Sequence, residues 1–152
     1  MAVLMPVHEA LEYVLKALDA VTGVERLPLP AALGRVLAHD QEAGIDVPAY
    51  DNSAMDGYAL RCADVSAVGA VLPQSQTIAA GHPGSPLQAG TMARIFTGAP
   101  VPLGADTVLM QENCRPEADG IRILELPRLG QNIRRQGHDV RAGTRILEAG
   151  RV

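Results

Sequence analysis

Pro48-Ala-Tyr-Asp-Asn-Ser-Ala-Met-Asp-Gly-Tyr-Ala59 places two carboxylates, an amide, a hydroxyl, two phenols and a glycine in twelve residues. Little of this suits a regular helix or a core strand. Asp, Asn and Ser side chains hydrogen-bond their own backbone and favour turns and caps. Asp56-Gly57 is a turn signal, since glycine takes positive φ without steric cost. The polar loop then runs directly into the strand-like Tyr58-Ala59-Leu60. It reads either as a site or as a capping turn whose polar groups satisfy its own backbone.

The chain changes character across this loop. Before it, Val7, Leu11, Val14, Leu15 and Leu18 recur at helical spacing, so a helix is expected over 7–20 with one apolar stripe that packs on something else. Glu12 and Lys16 make a favourable i,i+4 pair, Pro6 suits the first turn, and Gly23 can follow the end. Residues 24–30 are extended and proline-rich, 31–33 form one helical turn closed by Gly34, and 35–38 read as a short strand. After the loop helical periodicity disappears. Strands are expected at 57–61, 67–72, 76–80, 92–96, 107–111 and 121–126, most of them bounded by Gly or Pro, which favours a small antiparallel unit. Residues 80–90 read as a long, flexible, exposed loop, and 116–120 as a hairpin turn.

The expected fold class is therefore mixed and mainly β, with an N-terminal helix and short, irregular sheets. Residues 1–48 with 128–152 are expected to form a discontinuous first lobe, and 49–127 an inserted β-rich second lobe carrying the site loops. A chain of 152 residues can bury roughly 68–70% of its unfolded surface. With one Phe, no Trp and three Tyr, its core is expected to be aliphatic.

A net charge of -4 with Arg and Glu evenly spread argues against a nucleic-acid footprint. Cys62 and Cys114 lack CxxC spacing and read as buried thiols of a cytoplasmic protein. The start has no basic region leading into a long apolar run, and no apolar stretch approaches the roughly 20 residues of a membrane helix. The expectation is a soluble protein with no membrane partner. His8, His39, His82 and His138 lack metal-ligand spacing, and no Gly-x-Ser-x-Gly elbow surrounds Ser53.

Two further stretches carry chemistry. In Phe96-Thr-Gly-Ala-Pro-Val-Pro-Leu-Gly-Ala-Asp106, a strand runs into Thr97 with the amides of Gly98 and Ala99 beside its hydroxyl. Exposed amides of that kind form an anion-binding nest; the alternative is a rigid proline-rich turn with Thr97 satisfying a local carbonyl. In Asn132-Ile-Arg-Arg-Gln-Gly-His-Asp139, adjacent arginines on an extended segment point to opposite sides. One of Arg134 and Arg135 then faces a site, where its planar guanidinium suits a phosphate or carboxylate, and the other faces solvent; the alternative is a solvated charged surface for both. Asp56 can hold Mg²⁺ or a water in a phosphate-handling site, or can be a simple turn residue. Met55 and Tyr58 are expected to pack beneath the acidic turn.

Residues 51–59, 94–108 with Gln111-Glu112, and 132–139 together resemble the N-terminal region of the molybdopterin molybdenumtransferase (MoeA) family, whose eukaryotic relatives include the gephyrin E domain. Leu33-Gly-Arg-Val-Leu-Ala38 is similar as well. The resemblance implies insertion of molybdate into adenylated molybdopterin with release of AMP and help from Mg²⁺, in an elongated homodimer. It implies catalytic roles for Asp56 and Thr97, with Asp56 a possible Mg²⁺ ligand. Ser53, Asn52, Gly98, Arg134 and Asp139 would bind substrate. Family members continue into a pterin-binding α/β domain and a small β domain that this chain lacks, so the 152 residues alone are expected to supply part of a composite site rather than to catalyse. The alternative function is a non-catalytic scaffold or dimerisation module.

Overall fold

The computed structural model describes residues 5–19 and 22–152. Chain contacts divide it into two units, Met1–Asp40 with Glu148–Val152, and Gln41–Leu147. The second unit thus interrupts the first along the chain, with boundaries at 40/41 and 147/148, and residues 128–147 group with the β-rich unit.

The first unit carries helix α1, Val7–Lys16. Its end is less extended than the expected 7–20; position 20 lies outside the described residues. The Glu12–Lys16 pair forms at 3.5 Å. No residue of α1 is buried, so Val7, Leu11, Val14 and Leu15 stand exposed where the apolar stripe was expected to be packed. A 3-10 turn follows at Leu29–Ala31. Residues 35–38 do not make the expected strand. Leu37 instead donates its N–H to Arg151 O (2.7 Å) and accepts from Gly150 N–H (2.8 Å), a pairing with the chain's return that the local sequence does not encode.

The second unit contains eleven strands: β1 Gln41–Glu42, β2 Asn52–Ser53, β3 Gly57–Leu60, β4 Val71–Leu72, β5 Gln74–Ile78, β6 Met92–Ile95, β7 Thr107–Met110, β8 Cys114–Glu117, β9 Gly120–Ile123, β10 Ile133–Arg134 and β11 Arg145–Leu147. They form a four-stranded sheet in the order β5-β6-β3-β7, a three-stranded sheet β4-β9-β8, and the two-stranded pairs β2/β10 and β1/β11. The fold is mainly β with one N-terminal helix and several small sheets. All the sheets are antiparallel except at β5/β6, which runs parallel. The two strands point the same way because the 79–91 connection crosses back without a helix. That connection is tied rather than free. Gln76 clamps Ser85 by two hydrogen bonds (2.8 and 2.9 Å), Leu87 N–H reaches Leu103 O (2.7 Å), and Gly90 N–H reaches Asp64 (2.7 Å).

β3 organises the unit because all four of its residues are buried between β6 and β7. Strand alternation sends Tyr58 and Leu60 to one face, where they pack with Met92, Leu109, Leu72, Cys114, Ile121 and Ile123. Ala59 faces the other side with Ala93, Ile95, Val108, Ile78 and Ala99. Each fully buried Leu, Ile or Met contributes roughly 1.5–3 kcal/mol. The core is aliphatic apart from Tyr58. At its first residue, β3 meets β7 so closely that a Cβ on Gly57 would lie 1.8 Å from Leu109 O. Glycine is required there by contact with backbone. The β8–β9 hairpin turns through Ala118 and Asp119, and Pro116 is tolerated because β8 is an edge strand. Asp56 is thereby set one residue before the most buried strand, at the end of the central sheet.

Candidate functional site

β2 lies between two backbones and fixes the start of the polar loop. On one side it pairs with β10, Ile133 opposite Ser53 and Arg134 opposite Asn52. On the other it meets the turn after β6: Ser53 N–H donates to Ala99 O (2.9 Å), Gly98 N–H to Ser53 O (2.8 Å), and Val101 N–H to Asp51 O (3.0 Å). Ser53 Oγ is buried and donates to Met55 O at 2.6 Å, bending the chain toward Asp56. Asn52 is also buried, and its amide oxygen accepts no hydrogen bond from the described residues, which leaves one acceptor in the site unengaged.

Asp56 is held from across the gap between the two loops. Its Oδ1 accepts from Thr97 N–H and from Thr97 Oγ1, both at 2.8 Å. Its backbone carbonyl accepts from Gln111 N–H at 3.1 Å. The Thr97 amide and then the Thr97 hydroxyl hold the Asp56 carboxyl below the ordinary aspartate range; desolvation opposes them, and the positive charge of Arg94 adds the least. Asp56 is therefore a carboxylate at neutral pH. Its Oδ2 accepts no hydrogen bond from the described residues.

The expected anion nest takes a different form. Thr97 N–H goes to Asp56, Gly98 N–H to Ser53 O and Ala99 N–H to Phe96 O (2.9 Å). Gly98 turns the chain with φ of 80°, as the nest requires, but its amide is not free for a ligand. Closure against β2 is what takes these donors. The anion seated in this loop is the chain's own Asp56.

Arg94, on β6, is the residue that sequence reasoning left out. Its guanidinium donates to Gly57 O (2.8 Å) and to Gln111 Oε1 (2.7 Å), and lies over the rings of Phe96 (4.6 Å) and Tyr58 (5.3 Å). A lone charge inside Met92-Ala-Arg-Ile-Phe96 was the available signal, because a half-buried arginine in a strand needs partners. Arg94 and Gln111 both lie in the stretches that carry the family resemblance, which gives neither a role. Tyr58 packs in the core as expected, whereas Met55 is exposed.

The third stretch is organised by ion pairs. Arg134 binds Asp139 (2.6 Å), and Arg135 binds Asp51 (2.6 Å), which also accepts from Gln136 N–H (2.8 Å). The two arginines thus engage different carboxylates. Burial pushes the Asp51 carboxyl up, but the Gln136 amide and Arg135 outweigh it, and the net effect is a lowered value. Asp46 fastens the same segment from its other end, accepting from Ala142 N–H (2.8 Å) and Gln136 Nε2 (2.7 Å). Asp56, Thr97, Gly98, Ser53 and Asn52 thus sit on directly bonded strands and turns. Arg134 joins them through backbone pairing with Asn52, and Asp139 joins through Arg134.

Among the described residues no helix is long and apolar enough to cross a membrane, and no three His, Cys, Asp or Glu residues gather as a metal cage.

Residues 5–152 match the family described as the MoeA N-terminal region, domains I and II. The chain is 43% identical over 137 residues to a molybdopterin molybdenumtransferase from Nostoc, covering 87% of this chain and 31% of that protein. It is 40% identical over 155 residues to the molybdopterin molybdenumtransferase of Haemophilus influenzae, covering 97% and 37%. A crystal structure of the molybdopterin biosynthesis moeA protein from Pyrococcus horikoshii OT3 superposes with a TM-score of 0.87 at 34% identity, covering 96% of this chain and 40% of that one. The chain spans about a third of the length of the curated relatives it matches. With the fold, the motifs and the matched residues in agreement, this chain belongs to the MoeA N-terminal region family.

Proposed function

We propose that this chain supplies one wall of a composite site that inserts molybdate into adenylated molybdopterin with release of AMP. The observation that carries the reading is the Asp56–Thr97 contact: an ionised carboxylate, oriented by two donors on one oxygen, with the other oxygen unengaged. A single such oxygen suits Mg²⁺, which is commonly bound through one or two carboxylates plus substrate phosphates rather than by an all-protein cage. Asp56 would hold that ion, and the ion would neutralise charge on the adenylate phosphates. Thr97 keeps Asp56 in place. Its hydroxyl has one proton, which points to Asp56, so Thr97 Oγ1 faces a substrate as an acceptor unless that bond opens. Asn52, with its unengaged oxygen, and Arg134 with Asp139 form the flank nearest β2 and β10; Gly98 shapes the turn while Ser53 directs the loop. Pterin binding and the homodimer belong to the same proposal, with the rest of the substrate cradle outside these 152 residues.

The test is Asp56→Asn in a full-length protein carrying this region. Asn keeps an oxygen for Thr97 but loses the charge. A drop of about 10²–10⁴-fold in transfer is expected with folding unchanged; wild-type rates would end the assignment.

A second reading, a scaffold or dimerisation module, draws on the exposed apolar face of α1. Titrating the chain with adenylated molybdopterin separates the two, because binding that is lost in Asp56→Asn supports the half-site alone.

A further inference from the structure

We infer that Arg94 is a positioning residue that locks the Asp56-Gly57 turn through its two terminal nitrogens, one on Gly57 and one by way of Gln111. One nitrogen donates to the carbonyl of Gly57, immediately after Asp56 (2.8 Å), and more weakly to Ile95 O (3.4 Å). The other donates to Gln111 Oε1 (2.7 Å), and Gln111 N–H in turn holds the Asp56 carbonyl (3.1 Å). The two successive carbonyls that follow the Asp56 side chain are therefore tied to one rigid guanidinium, Gly57 O directly and Asp56 O through Gln111. That plane is itself fixed, with Phe96 at 4.6 Å and Tyr58 at 5.3 Å from it. Phe96 and Tyr58 also flank the reacting loops in sequence, one beside Thr97 and the other two residues past Asp56.

This division of labour has a physical consequence. Thr97 can donate two bonds to a single carboxylate oxygen only while the Asp56 backbone stays within a few tenths of an ångström of its position. A lysine at 94 would keep the charge but could not span two acceptors in one plane. Charge and geometry are thus separable by substitution. The inference rests on the proposed role of Asp56 for its functional meaning. The lock itself is measurable without any reaction.

The experiment is hydrogen exchange of this chain followed by NMR at one pH near neutrality, read at Thr97 N–H, which donates to Asp56 Oδ1, and at Gln111 N–H, which donates to Asp56 O. In Arg94→Lys exchange at both amides is expected to quicken by about tenfold or more while the Ala59 and Leu60 amides of β3 keep their protection. Gln111→Ala, which removes one acceptor and leaves Arg94 charged, should quicken exchange at Thr97 N–H by less. Protection in Arg94→Lys equal to wild type would show that Arg94 acts through charge alone and overturn the lock. If Arg94→Lys fails to fold, unchanged protection in Gln111→Ala overturns it instead. Failure here leaves the transfer assay of Asp56→Asn unaffected, so the two ideas fall separately.

Discussion

Replacing Gly57 by alanine tests whether the central strand and the site loop are one mechanical object. A Cβ there would lie 1.8 Å from Leu109 O, 2.8 Å from Leu109 C and 3.1 Å from Met110 Cα. These are backbone atoms of a paired strand, so no side chain can swing aside. β3 is bonded on both edges, with Gly57 opposite Ile95 on β6 and Met110 on β7, and relief for one ladder strains the other. Overpacking of this kind costs about 1–3 kcal/mol. Opening a buried carbonyl of the ladder adds about 1–3 kcal/mol. The expected loss is about 2–6 kcal/mol, or at least ~4 °C in melting temperature at roughly 2–4 °C per kcal/mol for a chain of this length. Gly98→Ala is the control: its φ of 80° is unfavourable, but the nearest atom lies 4.0 Å away. Only the left-handed conformation is then penalised, at about 1–2 kcal/mol. Denaturant unfolding read by hydrogen exchange at the Ala59 and Leu60 amides reports the β-rich unit directly. If Gly57→Ala loses no more stability than Gly98→Ala, the backbone contact does not govern this strand and the reasoning fails.

Further outcomes follow from ionisation. Asp46, Asp51 and Asp56 all have folded values below the ordinary 3.8. A depressed carboxylate stabilises above its unfolded pKa, and the contribution is lost as pH falls through the folded one. The Gln136, Ala142 and Thr97 amides should accordingly lose protection only below pH 3.8, while β3 stays protected; loosening at or above pH 3.8 would contradict the assigned hydrogen bonds. Burial pushes the Cys114 thiol up to about 11, slightly eased by Arg94. At pH 8 only about one part in a thousand is thiolate, so iodoacetamide should modify the less buried Cys62 first, and equal rates by peptide mass spectrometry would contradict the packing of Cys114.

What could be read in the sequence was whatever depends on residue type and short-range period. Short runs such as Gly57-Tyr-Ala-Leu60 and Met92-Ala-Arg-Ile95 became strands because apolar side chains there fill both faces of one sheet. Asp56 and Thr97 were picked from separate loops by their chemistry, and the fold puts them 2.8 Å apart. Pairing was not readable. The parallel β5/β6 register depends on how 79–91 crosses the sheet, and Gln41-Glu42 has little strand propensity but is recruited by the returning Arg145–Leu147. The same limit explains the nest: a sequence shows that Gly98 and Ala99 carry amides, not that Ser53 and Phe96 use them. Arg94 was missed for the related reason that its partners, Gly57 and Gln111, lie 37 and 17 positions away.

Charge around the candidate site argues for what has to complete it. Arg134 is matched by Asp139, Arg135 by Asp51, and Arg94 acts on Asp56 as an opposite charge while its nitrogens serve Gly57 and Gln111. Every arginine flanking the loop therefore faces a carboxylate or is held by backbone and amide oxygens. The loop amides expected to receive an oxyanion are closed as well, with Asp56 accepting from that of Thr97. An adenylate phosphate or a molybdate approaching Asp56 would meet like charge, which is destabilising at 4 Å by about 4 kcal/mol at an effective dielectric of 20. Under the proposed function, the compensating positive charge has to come from a divalent cation on Asp56 Oδ2 or from protein beyond these residues. Relatives of which this chain covers 31% and 37% have ample sequence to provide the second source. Under the proposed function, a carboxylate held by Thr97 receives a metal-bound anion better than a bare one, and that difference is why the proposal makes this chain one wall of a site.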